Sequence, residues 1–118
     1  MQTVAAPPYL ASAKDDNVSH AEMDAIVDYL ANNPDTGDIM AGTGGARKLR
    51  FALPGKRSGY RIITFYAADD IPVFLLDIYS KSSQENLSKA ERNAMREILS
   101  ALPDLYRKHR QVERSRNK

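Results

Sequence analysis

Three stretches with a two-residue hydrophobic period follow one another between Ala46 and Tyr79, and the links between them are too short to hold a crossover helix. In the first, residues 46–53, Leu49, Phe51 and Leu53 fall on one face and Lys48 and Arg50 on the other. Pro54-Gly55-Lys56-Arg57-Ser58-Gly59 is turn material. The second stretch, residues 60–67, is rich in β-branched and aromatic side chains, which suit a pleated surface. Ala68-Asp69-Asp70 makes a hairpin-like turn, and residues 71–79 form the third strand. Strands joined this closely can pair only as an antiparallel meander. A strict period of two puts Asp77, Tyr79 and Lys81 on one face of the third strand and Phe74, Leu76 and Ile78 on the other.

Helical signals flank this block. Ser19 is suited to N-capping, acids crowd the turns after it, and Met23, Ile26, Val27 and Leu30 recur at helical spacing. Asn33-Pro34 stops that helix, because a residue before proline avoids the α region. Ser88-Lys89-Ala90-Glu91 reads as a capping box for a last helix, with an apolar stripe of Ala94, Met95, Ile98, Leu99 and Leu102. Pro103 is expected to kink or end it, with residues 104–110 as a further helical piece. Residues 111–118 carry many charges and no apolar face, so a fraying basic tail is expected there. Residues 2–6 suggest a short first strand and residues 8–15 a short helix. The expected fold class is α+β in the order β–α–α–β–β–β–α, a single domain over residues 1–118, with the helices on one face of the sheet.

With 42% apolar residues the chain can bury a core. It has no cysteine, which removes disulfides and thiolate metal sites and is consistent with a reducing compartment. No stretch approaches the roughly 18 apolar residues of a membrane-spanning helix, and the first residues lack the pattern of a signal peptide, so a cytoplasmic protein is expected. The net charge of +2 conceals an asymmetry. Residues 1–40 carry one base, Lys14, against Asp15, Asp16, Glu22, Asp24, Asp28, Asp35 and Asp38, while the other sixteen bases all lie in residues 41–118. Either two solvated surfaces of opposite sign or a polyanionic partner accounts for this.

The chemistry-bearing run is residues 46–61, where Arg47, Lys48, Arg50, Lys56, Arg57 and Arg61 stand with no acid among them. On two adjacent strands and their turn these cations converge, and their repulsion is relieved by phosphate, which an arginine fork grips bidentately. The plainer reading is a solubilising basic hairpin. Tyr79 and Lys81 add a phenol and an ammonium where the third strand runs out. Tyr60 and Tyr66 could stack on unpaired bases, although ordinary strand packing explains them as well. His20 and His109 lie far from these strands in sequence, no His or acid pair has metal-ligand spacing, and neither a metal nor a cofactor is expected. Gly42-Thr43-Gly44-Gly45 invites a phosphate-cradle reading, but no Lys-Ser or Lys-Thr follows it. What remains is RNA transesterification by cations. The 2′-hydroxyl attacks the adjacent phosphorus, and arginines stabilise the charge that builds on the phosphoryl oxygens. A lysine whose charged form is disfavoured by like charges takes the proton, and an arginine, lysine or tyrosine protonates the leaving oxygen.

Gly44-Gly45-Ala46-Arg47-Lys48-Leu49-Arg50 followed by Gly55-Lys56-Arg57-Ser58-Gly59-Tyr60-Arg61-Ile62-Ile63 resembles the GG-x-RK-x-R … GK-x-GG-x-R-x-I pattern of RelE/HigB-type toxins, with Ser58 in place of one glycine. Phe74 to Lys81 and Glu85-Asn86-Leu87-Ser88 resemble a further stretch of that family, and the similarity runs from residue 24 to about residue 100. The resemblance implies a microbial-RNase-like fold with a central antiparallel sheet, cleavage of messenger RNA in the decoding site of the translating ribosome, and inhibition of translation. It also implies a cognate helix-turn-helix antitoxin through which alone operator DNA is met. Carried over by position, the catalytic set is Arg61, Lys48, Lys56, Arg57, Tyr79 and Lys81. Arg61 is then the phosphate-stabilising residue and Lys48 and Lys56 are the candidate bases. Arg47, Arg50 and Tyr60 are RNA-binding candidates. The competing function is a non-catalytic module that holds RNA or an antitoxin as an operon co-repressor.

Overall fold

A computed structural model describes residues 1–52, 59–80 and 88–116. In chain order these form β1 (Thr3–Ala5), α1 (Pro7–Asp15), α2 (His20–Asn32), β2 (Asp38–Ile39), β3 (Ala46–Phe51), β4 (Tyr60–Phe65), β5 (Val73–Ser80) and α3 (Lys89–Arg116). The five strands make one sheet in the order β1-β5-β4-β3-β2. The expected meander is there: β3, β4 and β5 pair antiparallel, Arg50 opposite Arg61 and Arg61 opposite Tyr79. β1 joins β5 in parallel, so the sheet is mixed. β2 adds an edge strand that no hydrophobic period in the sequence marks. Two residues are too few to show a period, and β2 is held by its partner: Ile39 pairs with Arg47 and Asp38 with Lys48.

Helices cover both faces of the sheet, where one covered face was expected. Tyr9 and Ala13 of α1 and Ile26 and Leu30 of α2 pack with Leu49, Tyr60, Ile62, Leu75 and Ile78. On the other face Leu99 of α3 packs with Ala46, Ile63, Phe65, Phe74 and Tyr79, flanked by Met95, Leu102 and Tyr106. Ile62 and Ile63 therefore serve different cores, and two helical layers are needed because both sides of β4 and β5 are apolar. The period-two reading of β5 fails at one place. Ile63 opposes Asp77 but Thr64 opposes Leu75, so Leu76 is an extra residue in a β-bulge. The bulge turns Phe74 and Leu76 to the same side as Tyr79, and Ile78 joins Leu75 on the opposite side.

Both capping motifs form. Ser19 Oγ accepts from the Glu22 amide at 3.1 Å while the Ser19 amide donates to Glu22 Oε1 at 3.0 Å. Ser88 and Glu91 repeat the exchange at 3.1 and 3.0 Å. α3 then runs through Pro103 to Arg116, beyond both the break and the fraying point that the sequence suggested. A proline inside a helix removes one hydrogen bond and strains the turn before it. Here the turns after it are held from outside. Arg107 grips Asp70 in the β4–β5 connection with Nε and Nη2 at 2.8 and 2.9 Å, Arg110 donates to the Asp70 carbonyl, and Tyr106 meets Phe74 edge to face.

Candidate functional site

The antiparallel register assembles the site. Directly opposed residues share a face, so Arg50, Arg61 and Tyr79 make a row across β3, β4 and β5. Lys48 lies two residues before Arg50 on that face, and its Nζ stands 6.0 Å from the centre of the Tyr79 ring. This is the α3 side of the sheet, since Tyr79 packs in the cluster that contains Leu99. Lys48, Leu49, Arg50 and Arg61 line a cleft whose wall is Asp38, Ile39 and Met40 from the β2 edge. Arg61 is half-buried, and its Nη1 is enclosed without a hydrogen-bond acceptor among the described residues. A buried guanidinium N–H without an acceptor is costly, and it marks the place in the cleft where an acceptor fits.

The loop before β3 supports this arrangement without forming a phosphate cradle. Thr43 Oγ1 donates to the Met40 carbonyl at 2.7 Å and accepts from the Ala46 amide at 3.1 Å, closing the β2–β3 turn. Gly44 has φ +79°, and a Cβ there would meet Arg96 Cα of α3 at 3.3 Å. The glycine run is therefore the seam between the turn and α3, and Arg92 Nη1 adds a bond to the Ala41 carbonyl at 3.0 Å. Gly59 serves the other end of the site. Its φ is +63°, and a side chain there would lie 2.5 Å from the Phe51 carbonyl oxygen, so β4 can enter beside β3 only through glycine.

Of the sequence-derived candidates, Lys48, Arg50, Arg61 and Tyr79 come together. Arg47 does not join them. Alternation places it with Leu49 on the α1–α2 side, and its Nη1 donates to the Gly37 carbonyl at 3.2 Å. Tyr60 is also turned away, 7% exposed in the core under α1 and α2, with its hydroxyl donating to Glu22 Oε2 at 3.0 Å. Tyr79 is equally buried, so what removes Tyr60 from the site is its place on the face opposite Arg61 and the hold of Glu22 on its hydroxyl. Tyr66 hydrogen-bonds Asp69 at the exposed end of the sheet. That carboxylate holds its phenol above the usual tyrosine range, with desolvation adding to the effect. Lys56, Arg57 and Lys81 lie outside the described residues. Asp38 is the cleft residue that sequence reasoning missed. It sits in an apparent loop, and only the β2–β3 pairing sets it opposite Lys48.

A mixed sheet with a row of cations and a tyrosine on one face, bordered by a long helix, defines a small α+β protein with a cation-lined cleft. The family model described as the RelE toxin of the RelE/RelB toxin–antitoxin system matches residues 9–115. The chain belongs to the RelE toxin family. Among the described residues no helix is long and apolar enough to cross a membrane.

Proposed function

We propose that the chain is a ribosome-dependent endoribonuclease that cuts messenger RNA in the decoding site and thereby inhibits translation. Its cytoplasmic activity is restrained by a cognate helix-turn-helix antitoxin, and operator DNA is met only through that partner. On this reading residues 1–118 act as one domain. The observation that carries the reading is the Arg50–Arg61–Tyr79 row, with an enclosed N–H of Arg61 that has no acceptor among the described residues.

In this mechanism the scissile phosphate sits against Arg61 and Arg50. Lys48 accepts the proton of the 2′-hydroxyl, and the 2′-oxygen bonds to phosphorus. Charge then develops on the phosphoryl oxygens, where the guanidinium groups stabilise it more than they stabilise the ground state. The bond to the 5′-oxygen breaks, and the Tyr79 hydroxyl gives that oxygen its proton. The products are a 2′,3′-cyclic phosphate and a free 5′-hydroxyl. Lys56, Arg57 and Lys81 are further cationic candidates for the same work.

Primer extension on a message in a reconstituted translation system tests this directly. The wild type should cut, and Arg61→Ala should cut at least about a hundredfold more slowly at an unchanged melting temperature, the scale of losing one transition-state donor. Equal cutting by a folded Arg61→Ala would remove Arg61 from the chemistry. Salt-sensitive binding of RNA that stays intact on translating ribosomes would instead establish a non-catalytic RNA-binding module.

A further inference from the structure

We infer that Asp38 reads the Watson–Crick edge of a guanine beside the scissile phosphate, an inference that rests on the nuclease reading above. Asp38 lies in β2 directly opposite Lys48 and lines the cationic cleft. The other charged residues lining that cleft are Lys48, Arg50 and Arg61, all cations. Within the described residues the Asp38 side chain makes neither a hydrogen bond nor an ion pair. A carboxylate beside a phosphate seat opposes the ligand the seat is built for, so its presence there calls for a ligand group that needs an acceptor. An acid on an edge strand also discourages edge-to-edge pairing. That role works from either face of the sheet, and the opposed Lys48 favours the cleft face, but neither uses the hydrogen-bond acceptors of the carboxylate, which no described residue fills.

The position suits a base better than the phosphate. β2 is the outermost strand, separated from Arg61 by β3, so Asp38 stands at the lip while the guanidinium row forms the floor. Met40, packed against the α3-side core and lining the cleft, adds apolar surface at that lip for the flat face of a ring. A carboxylate has two oxygens and accepts only. Guanine presents two adjacent donors, N1–H and N2–H, that match such a fork in the manner of a bidentate charge-assisted pair. Adenine and cytosine set one amino donor beside a ring acceptor, which a carboxylate repels. Uracil sets its single imino donor between two carbonyls. Guanine is thus the base that Asp38 accepts with both oxygens.

Cut-site maps for the wild type, Asp38→Asn and Asp38→Glu, made on one message in a reconstituted translation system, decide the matter through a ratio within each map. The expected result is guanine enriched at one fixed position relative to the cut in the wild type. Asp38→Asn should reduce that enrichment by roughly tenfold, the discrimination a lost bidentate base contact gives, and Asp38→Glu should restore part of it. The same base distribution in wild type and Asp38→Asn overturns the inference while the nuclease reading stands. Loss of all cutting in a folded Asp38→Asn also overturns it, because Asp38 would then belong to the bond-breaking step. Failure of the wild type to cut any message refutes the nuclease reading itself.

Discussion

Tyr60 and Arg61 are neighbours in sequence and serve opposite sides of the molecule, because a strand turns successive side chains to opposite faces. Arg61 reaches the cleft, whereas Tyr60 is sealed under α2 and donates its hydroxyl to Glu22. Glu22 is 7% exposed and already completes the capping box with Ser19. One carboxylate thus ties the start of α2 to the start of β4, immediately before Arg61. A hydrogen bond to a charged group contributes about 1.5–3 kcal/mol when its loss leaves the charge enclosed. Tyr60→Phe should therefore lower unfolding stability by about 1–3 kcal/mol, read from the urea midpoint at constant slope. An unchanged midpoint would show that Glu22 is satisfied without the phenol.

At the scale of elements, α3 is the part whose course depends most on partners elsewhere in the chain. Pro103 interrupts its hydrogen bonding, and the turns beyond are held by Arg107 and Arg110 on Asp70. The Arg107 guanidinium hydrogen-bonded to Asp70 holds that carboxyl below its ordinary range. A carboxyl whose folded value is depressed contributes stability that is complete above the unfolded value, roughly 3.9, and is lost as pH falls through the lower folded value. Acidification below about pH 4 should therefore loosen the second half of α3 before the sheet. Asp70→Asn should do the same at neutral pH. Faster amide hydrogen exchange over residues 104–110, with β4 and β5 still protected, is the expected result. Uniform exchange across α3 and the sheet would show that Pro103 does not divide the helix into separately held halves.

For the whole molecule, the sheet is also a partition of charge. Asp15, Asp16, Glu22, Asp24 and Asp28 belong to α1, α2 and the link between them, on one side. Lys48, Arg50 and Arg61 face the other side with α3. A polyanion is steered toward the cation-bearing side and away from the acidic helices. Single-stranded RNA that neutralises charges on that side releases counterions, with a slope of about −0.7 in log K against log salt for each phosphate neutralised. Arg50→Ala should reduce the slope by about 0.7 in magnitude, measured by fluorescence anisotropy on an unstructured oligonucleotide. An unchanged slope would place the bound strand away from the cleft.

The meander, the N-cap of α2, the capping box of α3 and the convergence of Lys48, Arg50, Arg61 and Tyr79 were legible in the sequence, because each rests on near neighbours: a period, a turn or a three-residue spacing. What lay outside that reach depends on residues distant along the chain. The β-bulge that carries Phe74 and Leu76 to the side of Tyr79 arises only from pairing with β4. The two-residue β2, and with it the place of Asp38, exists only against β3. Tyr60 looked like a stacking surface until α2 covered it, and α3 crosses Pro103 because Asp70 waits on the opposite side of a connection more than thirty residues earlier. Local hydrogen bonding and hydrophobic period determine which segments become strands and helices. Which side of the sheet each helix covers, and so which side chains stay open to a ligand, is decided by burial, and burial is a property of the assembled chain.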